Sequence, residues 1–354
     1  MAKIKMENLR HSYTPSPKSE EDWALKQLDI DWEDGGAYAL LGPSGCGKTT
    51  LLNIISGILK PSEGKILFDK KDVTAISTER RNIAQVFQFP VVYDTMTVHD
   101  NLAFPLRNRG VAETEVKSKV AEIAEMLELE DLLKKRAQSL TADVKQKISL
   151  GRGLVRADVN ALLFDEPLTV IDPHLKWVLR SKLKELHQRV KTTMIYVTHD
   201  QTEALTFADQ VVVMDHGRVV QIGTPVELFE KPQHTFVGHF IGSPGMNVLP
   251  CNMDNGKALF NGQTIATENS AEKSNGTNKL EIGIRPEFIT FSTEGIEANV
   301  TKVSDTGRYR IVETKSADTT IRLLVGEEEE IPSGSTFLKF DQSKTRLYQD
   351  GWLI

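Results

Sequence analysis

Nine consecutive residues near the start of the chain have the pattern of a phosphate-binding loop. They read Gly42, Pro43, Ser44, Gly45, Cys46, Gly47, Lys48, Thr49 and Thr50. The three glycines of this loop let the backbone curl so that successive N–H groups point at phosphate oxygens. Any side chain at these positions would block the approach of the phosphates. The lysine then reaches the β- and γ-phosphates, and the first threonine supplies a hydroxyl ligand for Mg²⁺. The loop predicts binding of ATP with Mg²⁺, and Cys46 is a bystander in it.

Two adjacent carboxylates supply the acids that such a loop requires. The apolar run at residues 161–164 is typical of a buried strand, and Asp165 and Glu166 follow it directly. A carboxylate at the ligand edge of a sheet holds Mg²⁺ through water, so we predict this role for Asp165. Glu166 is then free to orient or deprotonate an attacking water. His199 ends the next predicted strand, where it would contact the γ-phosphate.

The pattern around these residues predicts the elements that position them. An apolar strand at residues 37–41 precedes the loop and an apolar helix at residues 51–55 follows it. Strand-like runs alternate with helical patterns up to about residue 240, which predicts a largely parallel sheet covered by helices. Later residues form short alternating runs with turns, which predicts a small all-β domain at residues 241–354. The strand-like runs of the first part are residues 65–68, 83–87, 161–164, 194–197 and 210–214.

Composition narrows the class of protein. A chain of 354 residues exceeds what one hydrophobic core usually organises, so we expect two domains, residues 1–240 and 241–354. The net charge of −6 argues against a nucleic-acid partner. Two cysteines, Cys46 and Cys251, predict a reducing compartment without disulfides. No apolar run is long enough to span a bilayer, so we expect the chain to reach a membrane through a partner.

In their order and spacing, these motifs resemble those of the ATP-binding subunits of ABC transporters, over essentially the whole chain. The resemblance implies an α/β P-loop ATPase domain with a helical subdomain at about residues 89–157. It also implies that an oligomer-binding-type (TOBE-like) β domain follows. The roles that it implies are adenine stacking for Tyr13, sensing of Mg²⁺ and the γ-phosphate for Gln88, a switch histidine at His199 and a loop that crosses a dimer interface at Asp172.

The C-terminal part resembles the β domains of carbohydrate and polyol importer ATPases, through residues 242–247 and 283–287. In that family such domains join two subunits and can receive regulatory signals, and a purely structural role is the alternative here. Residues 89–94 and 97–102 resemble the surface that receives cytoplasmic helices of membrane subunits. The resemblance implies permease subunits and, indirectly, a solute-binding protein as partners, with peripheral attachment to the cytoplasmic face of the inner membrane.

One segment departs from the family pattern. Where ABC ATPases carry Leu-Ser-Gly-Gly-Gln, this chain has Leu140, Thr141, Ala142, Asp143 and Val144. In the family this segment caps the γ-phosphate of the opposite subunit with backbone N–H groups, a serine hydroxyl and a helix N-terminus. Thr141 keeps a hydroxyl, but Ala142 and Asp143 add bulk. Asp143 also places negative charge beside a polyanion unless it turns away or Lys145 and Lys147 compensate.

The altered segment predicts an asymmetric pair, in which this chain caps a weaker site on a second, dissimilar ATPase subunit. A homodimer in which the segment still works is the first alternative. A regulatory or scaffold subunit that binds ATP with little hydrolysis is the second, and the intact Glu166 and His199 weigh against it. Residues 164–174 and the altered segment most resemble the ATPases of glycerol or glycerol-phosphate importers, which occur as two dissimilar subunits.

Overall fold

The computed structural model describes residues 2–156, 158–254, 257–269 and 279–354. The chain divides into two compact units, Met1–Pro225 and Val226–Ile354. The strands of the first unit are β1 (Ile4–His11), β2 (Leu25–Trp32), β3 (Ala37–Leu41), β4 (Glu63–Phe68), β5 (Lys71–Asp72), β6 (Ile83–Val86), β7 (Ala161–Asp165), β8 (Met194–Thr198), β9 (Gln210–Asp215) and β10 (Arg218–Gly223). Its helices are α1 (Lys48–Ser56), α2 (Val98–Arg107), α3 (Glu113–Leu127), α4 (Ala142–Leu154), α5 (Pro173–Val190) and α6 (Gln201–Phe207).

A six-stranded sheet with the order β10-β9-β3-β8-β7-β6 positions the candidate site. Strands β9, β3, β8, β7 and β6 are parallel, and β10 pairs antiparallel with β9. Every residue of β3, β7 and β8 is buried, which explains why these strands read as continuous apolar runs. Because parallel strands end at the same edge, the phosphate loop, Asp165 and His199 all follow strand ends at that edge.

A second sheet, with the order β2-β1-β4-β5, is antiparallel. The run at residues 65–68, predicted as part of the parallel sheet, lies here in β4, so that prediction was wrong. The physical reason is visible in its burial, since Ile66 and Phe68 are buried while Glu63 and Lys65 are exposed. Alternation of this kind fits a sheet with one covered face, which antiparallel pairing allows.

Helices α2, α3 and α4 lie within residues 89–157, the segment predicted as a helical subdomain; residue 157 itself lies outside the described residues. Val116, Val120 and Ile123 repeat at helical spacing and form the buried stripe of α3. Gly151 of α4 faces this stripe, and a Cβ there would lie 2.5 Å from a methyl carbon of Leu102 on α2. The missing side chain therefore lets the three helices pack closely.

The second unit consists mainly of antiparallel strands. Two short helices precede the strands, α7 (Pro225–Glu230) and α8 (Thr235–Phe240). The boundary at residues 240/241 stays a prediction, although α8 and all of α7 beyond Pro225 fall in the second compact unit. The strands are β11 (Asn247–Pro250), β12 (Asn252–Asp254), β13 (Lys257–Phe260), β14 (Gln263–Ile265), β15 (Leu280–Ile284), β16 (Ile289–Ser292), β17 (Ile296–Asp305), β18 (Arg310–Ser316), β19 (Thr319–Val325), β20 (Ser335–Phe340), β21 (Arg346–Gln349) and β22 (Trp352–Leu353).

These strands form three sheets, with the orders β11-β15-β21-β22, β12-β13-β14 and β16-β20-β17-β18-β19. Residues from all three sheets, among them Leu249, Phe260 and Leu338, share one hydrophobic core. The buried Arg285 joins the helices to this unit by donating to the carbonyl oxygens of Phe229 and Ile241, each at 2.6 Å. Burial lowers the pKa of Arg285 to about 10. Among the described residues, no helix has both the length and the apolar character that a bilayer crossing requires.

Candidate functional site

The phosphate-binding loop connects β3 to α1. Residues 42–47 form the loop, and residues 48–50 form the first turn of the helix. Gly42 has no space for a side chain, because a Cβ there would lie 2.2 Å from the carbonyl oxygen of Met214. Gly47 has a φ of +99°, in the left-handed region that favours glycine. The two positions show that the loop needs glycine both for space and for backbone conformation.

Lys48 lies inside this loop. Its Nζ donates to the carbonyl oxygens of Gly42 and Pro43, each at 2.8 Å, and the residue is 5% exposed. The thiol of Cys46 lies 3.7 Å from the same nitrogen. Burial raises the pKa of Cys46, so the thiol is neutral at neutral pH and the ammonium is the charged side chain of the loop.

Thr49 and Asp165 form the pair that fits a metal ion. The Thr49 hydroxyl donates to Oδ1 of Asp165 at 3.0 Å, across the gap between α1 and the end of β7. Hydroxyl and carboxylate oxygens are the ligands that Mg²⁺ prefers. Burial raises the pKa of Asp165, the Thr49 hydrogen bond opposes this, and the neighbouring charge of Glu166 adds to it. A cation bound at this pair would offset the cost of burying the carboxylate.

Three side chains converge on the carboxylate of Glu166. His199 Nδ1 lies 3.1 Å from Oε1, while Gln88 Nε2 and the Thr169 hydroxyl each donate to Oε2 at 3.3 Å. The Glu166 backbone has a φ of +45°, a strained conformation for a residue with a side chain. The contacts hold both carboxylate oxygens in place beside the phosphate loop, which suits a group that orients or deprotonates a water.

Tyr13 follows β1 and is exposed over 65% of its surface. Its hydroxyl lies 3.1 Å from the hydroxyl of Thr50, at the start of α1. The His11 ring packs edge to face with it, with the ring centroids 4.8 Å apart. These contacts fix an exposed aromatic ring next to the phosphate loop.

The altered segment, residues 140–144, spans the start of α4. Thr141 is the N-cap residue, and Asp143 lies in the first turn. A hydrogen bond with the Thr141 side chain is the main reason why the pKa of Asp143 lies below its ordinary value. The lowered pKa favours the ionised form of Asp143, so this helix end carries a carboxylate charge near neutral pH.

The two lysines that follow are engaged with other acids. Lys145 pairs with Asp94 at 2.7 Å, and Lys147 pairs with Glu128 at 3.6 Å. Lys147 is buried, so its ammonium is held in this arrangement. Both cations form their ion pairs with acids other than Asp143, and the charge of Lys147 is a minor cause of the lowered pKa of Asp143.

Asp172 is the N-cap residue of α5, where its carboxylate accepts from the backbone N–H of His174 at 2.8 Å. The structure brings Lys48, Thr49, Gln88, Asp165, Glu166 and His199 together by hydrogen bonds, by an ion pair or by their places at the strand ends. Among the described residues, no hydrogen bond or ion pair joins residues 140–144 or Asp172 to that group. Their predicted roles in a partner's site stay predictions.

One buried carboxylate near the site, that of Glu203, was not predicted from the sequence. Glu203, 4% exposed, accepts hydrogen bonds from the hydroxyls of Tyr196 at 3.1 Å and Thr198 at 2.9 Å, and Lys176 Nζ lies 3.8 Å away. Glu203 lies three residues after Asp200, the N-cap residue of α6, and this spacing is typical of a capping box. That pattern indicates a helix start, but it does not reveal that the carboxylate is buried behind the end of β8.

An apolar groove of about 350 Å³ lies beside the segment that follows Gln88. The Tyr93 ring packs on Phe104 with centroids 4.7 Å apart, and the guanidinium of Arg152 lies 4.6 Å from the Tyr93 centroid. Phe89 is 70% exposed and Val91 50%, so large apolar side chains face solvent in the segment after Gln88. The groove is lined by Ile58, Phe87, Val91, Phe104, Pro105 and Arg152, among others.

Comparison with known proteins decides the family. The profile of the ABC transporter family matches residues 25–169, and that of the MalK OB fold domain matches residues 242–289. The sn-glycerol-3-phosphate import ATP-binding protein UgpC of Escherichia coli (strain K12) is 38% identical over 331 residues, or 92% of each chain. UgpC of Shigella sonnei matches equally well, at 38% identity and the same coverage. The chain belongs to the ATP-binding subunits of ABC transporters.

Two solved structures resemble this ABC ATPase over about two thirds of its length. CbiO1 from Clostridium perfringens, part of the ABC transporter complex cbiONQ, is 31% identical with a TM-score of 0.57, covering 64% of this chain and 90% of that one. The ATP-binding cassette MJ0796, a dimer in a post-hydrolysis state bound to ADP and Pi, is 25% identical with a TM-score of 0.56, covering 63% and 98%.

These findings confirm the predicted fold class, a P-loop ABC ATPase domain followed by an OB-type β domain. They also confirm that the chain is an ATP-binding enzyme that hydrolyses ATP. They do not show a dissimilar second ATPase subunit, and that pairing remains a prediction.

Proposed function

We propose that this ABC ATPase powers the import of a small polyol or its phosphate, with glycerol or glycerol 3-phosphate as the favoured solute. Support comes from the relatives named as sn-glycerol-3-phosphate import proteins and from the MalK-type OB domain. The selective contacts to solute would belong to other subunits. The observation that carries the catalytic part is the Glu166 carboxylate, held on both oxygens by Gln88, Thr169 and His199 beside the phosphate loop.

Each site residue has a role in this proposal. Tyr13 stacks on adenine, and Lys48 with the loop N–H groups binds the β- and γ-phosphates. Thr49, Asp165 and Gln88 would hold Mg²⁺, which neutralises phosphate charge when it is bound. Glu166 orients or deprotonates the attacking water, and His199 reports on the γ-phosphate while it holds Glu166.

Exchange of Glu166 for Gln tests hydrolysis at this site. The substitution keeps the shape of the side chain but removes the charge and the base, so hydrolysis should fall by about 100-fold or more while ATP binding is retained. Glu185→Gln, an exposed position on α5, is the matched control and should leave the rate unchanged. Unchanged turnover in Glu166→Gln would contradict the role of Glu166, and rates near background in both proteins would favour a regulatory ATP-binding subunit.

The partners follow from the groove and the exposed Phe89. Cytoplasmic helices of permease subunits would dock at this surface, since burying exposed apolar area favours association. The ATPase would then sit at the cytoplasmic face of the inner membrane as a peripheral subunit, and a solute-binding protein would act on it indirectly. The β domain, residues 241–354, would join two ATPase subunits and could receive regulatory signals.

An asymmetric pair with a second ATPase subunit is supported by the altered segment alone. Asp143 adds a carboxylate at this helix end, and the lysines that follow form their ion pairs with Asp94 and Glu128. A homodimer is the alternative. Purification of the native complex followed by mass measurement separates the two, because a second ATPase chain of different mass supports asymmetry and two copies of this chain contradict it.

A further inference from the structure

A buried amide on α4 connects the two segments that carry the catalytic residues. Gln146 is 1% exposed, and its Nε2 donates to the carbonyl oxygen of Phe87 at 3.1 Å and to that of Pro167 at 2.9 Å. A carboxamide nitrogen carries two hydrogens, so both of its donors are used. Its oxygen, Oε1, is buried and has no hydrogen-bond partner among the described residues.

The two accepting carbonyls belong to the immediate neighbours of catalytic residues. Phe87 directly precedes Gln88, and Pro167 directly follows Glu166. Gln88 and Glu166 are themselves joined at 3.3 Å. One amide therefore binds the backbone next to both Gln88 and Glu166, the residues that the proposed function assigns to Mg²⁺ and to the attacking water.

The same helix also holds the rest of the segment after Gln88. The Ser149 hydroxyl accepts from the backbone N–H of Val91 at 3.3 Å, and Arg152 donates to the carbonyl oxygen of Val91 at 2.6 Å. Lys145 pairs with Asp94 at the end of that segment. A displacement of α4 would therefore carry residues 87–94 with it, and Gln146 is the contact through which it would reach Pro167.

We propose that Gln146 is a positioning residue for ATP hydrolysis, which sets the placement of Gln88 and Glu166 and passes movement of α4 to them. This inference rests on the proposed hydrolytic role of Glu166. It assigns Gln146 no contact with ATP, because the residue acts through the backbone on either side of the pair.

Gln146 Oε1, a buried oxygen without a partner in the described chain, indicates that this side chain is needed for its two N–H donors. A buried acceptor without a partner costs free energy, whereas an apolar side chain of similar size would avoid that cost. Leucine would remove that cost, but it would leave the carbonyl oxygens of Phe87 and Pro167 without the donors that Gln146 supplies. Retention of a glutamine that leaves one atom unsatisfied fits a side chain that is needed for its two donors.

Gln146→Leu and Gln146→Glu test the proposal in the full chain, purified with the subunits that accompany it. Leucine removes both donors, whereas glutamate keeps the shape but replaces the amide nitrogen with an oxygen that can donate only when it is protonated. We expect kcat to fall by about ten-fold or more, the effect of losing two hydrogen bonds that hold the active arrangement, while ATP affinity and KM change by less than about two-fold. Gln188→Leu, at an exposed position of α5, is the control with the same chemical change.

Three results would overturn the proposal. Unchanged kcat in both variants would show that the donors are dispensable. A loss of ATP binding equal to the loss of kcat, or a Tm lowered in step with kcat in both variants, would show that Gln146 supports the fold alone. Absence of hydrolysis in the parent protein would instead contradict the proposed function, so the two failures are distinguishable.

Discussion

Replacement of Asp143 by Asn should lower the stability of the free chain slightly and raise the hydrolysis rate of the assembled ATPase. Asp143 lies in the first turn of α4, where its charge interacts favourably with the helix dipole and with Thr141. Loss of that charge should cost about 0.3–1 kcal/mol of stability. In the assembled pair, however, this helix end would face the triphosphate of the other subunit.

The gain in rate follows from Coulomb's law. Two like charges about 4 Å apart repel by about 4 kcal/mol at an effective dielectric constant near 20 and by about 1 kcal/mol in bulk water. Removal of this repulsion corresponds to a rate gain between about 5-fold and about 1000-fold, depending on how much water the interface retains. Because Lys145 pairs with Asp94 and Lys147 with Glu128, these two cations offset the charge of Asp143 only in part.

Steady-state ATP hydrolysis by the complex, with and without the substitution, measures this effect. Lower pH cannot replace the substitution, because the pKa of Asp143 is already below its ordinary value. Asp131→Asn is the control, since Asp131 is an exposed acid between α3 and α4 and its replacement makes the same change in net charge. A thermal melt of the free chain tests the opposing effect on stability.

An unchanged rate in Asp143→Asn would refute the electrostatic argument and favour a homodimer in which the altered segment works as it stands. A rate that rises equally in Asp131→Asn would show that net charge, and not this helix end, is responsible. A higher Tm for Asp143→Asn would contradict the assignment of a favourable helix-end interaction.

Two further substitutions test the metal pair and the permease surface. Burial raises the pKa of Asp165, so the folded chain binds more protons than the unfolded chain between the unfolded and the folded pKa, and stability should fall as pH rises through that window. Asp165→Asn should remove that fall and raise the nucleotide-free Tm at pH 7 while it abolishes Mg²⁺-dependent hydrolysis; a lower Tm at pH 7 would contradict this. Tyr93→Ala removes the ring that packs on Phe104, so transport-coupled hydrolysis should fall by about ten-fold or more while ATP binding by the free chain survives. Equal loss of both activities would argue against a docking surface.

Features that depend on contiguous residues could be predicted from the sequence. The phosphate loop binds through successive backbone N–H groups, so its nine residues contain most of the information that the site requires. The strands before Gly42, Asp165 and His199 are continuous apolar runs, and parallel strands bring their ends to one edge. The sequence therefore anticipated that Thr49 and Asp165 would meet, and they lie 3.0 Å apart.

The tertiary structure decided which distant polar groups pair. Gln146 and Glu203 look like ordinary helix residues in the sequence. In the folded chain, Gln146 donates to the carbonyl oxygens of Phe87 and Pro167, and Glu203 accepts from the hydroxyls of Tyr196 and Thr198. Packing likewise directed Lys145 and Lys147 to acids other than Asp143. Local periodicity records which face of a helix is apolar, whereas a hydrogen bond between distant segments depends on how the helices and sheets are placed, and that placement exists only in the folded chain.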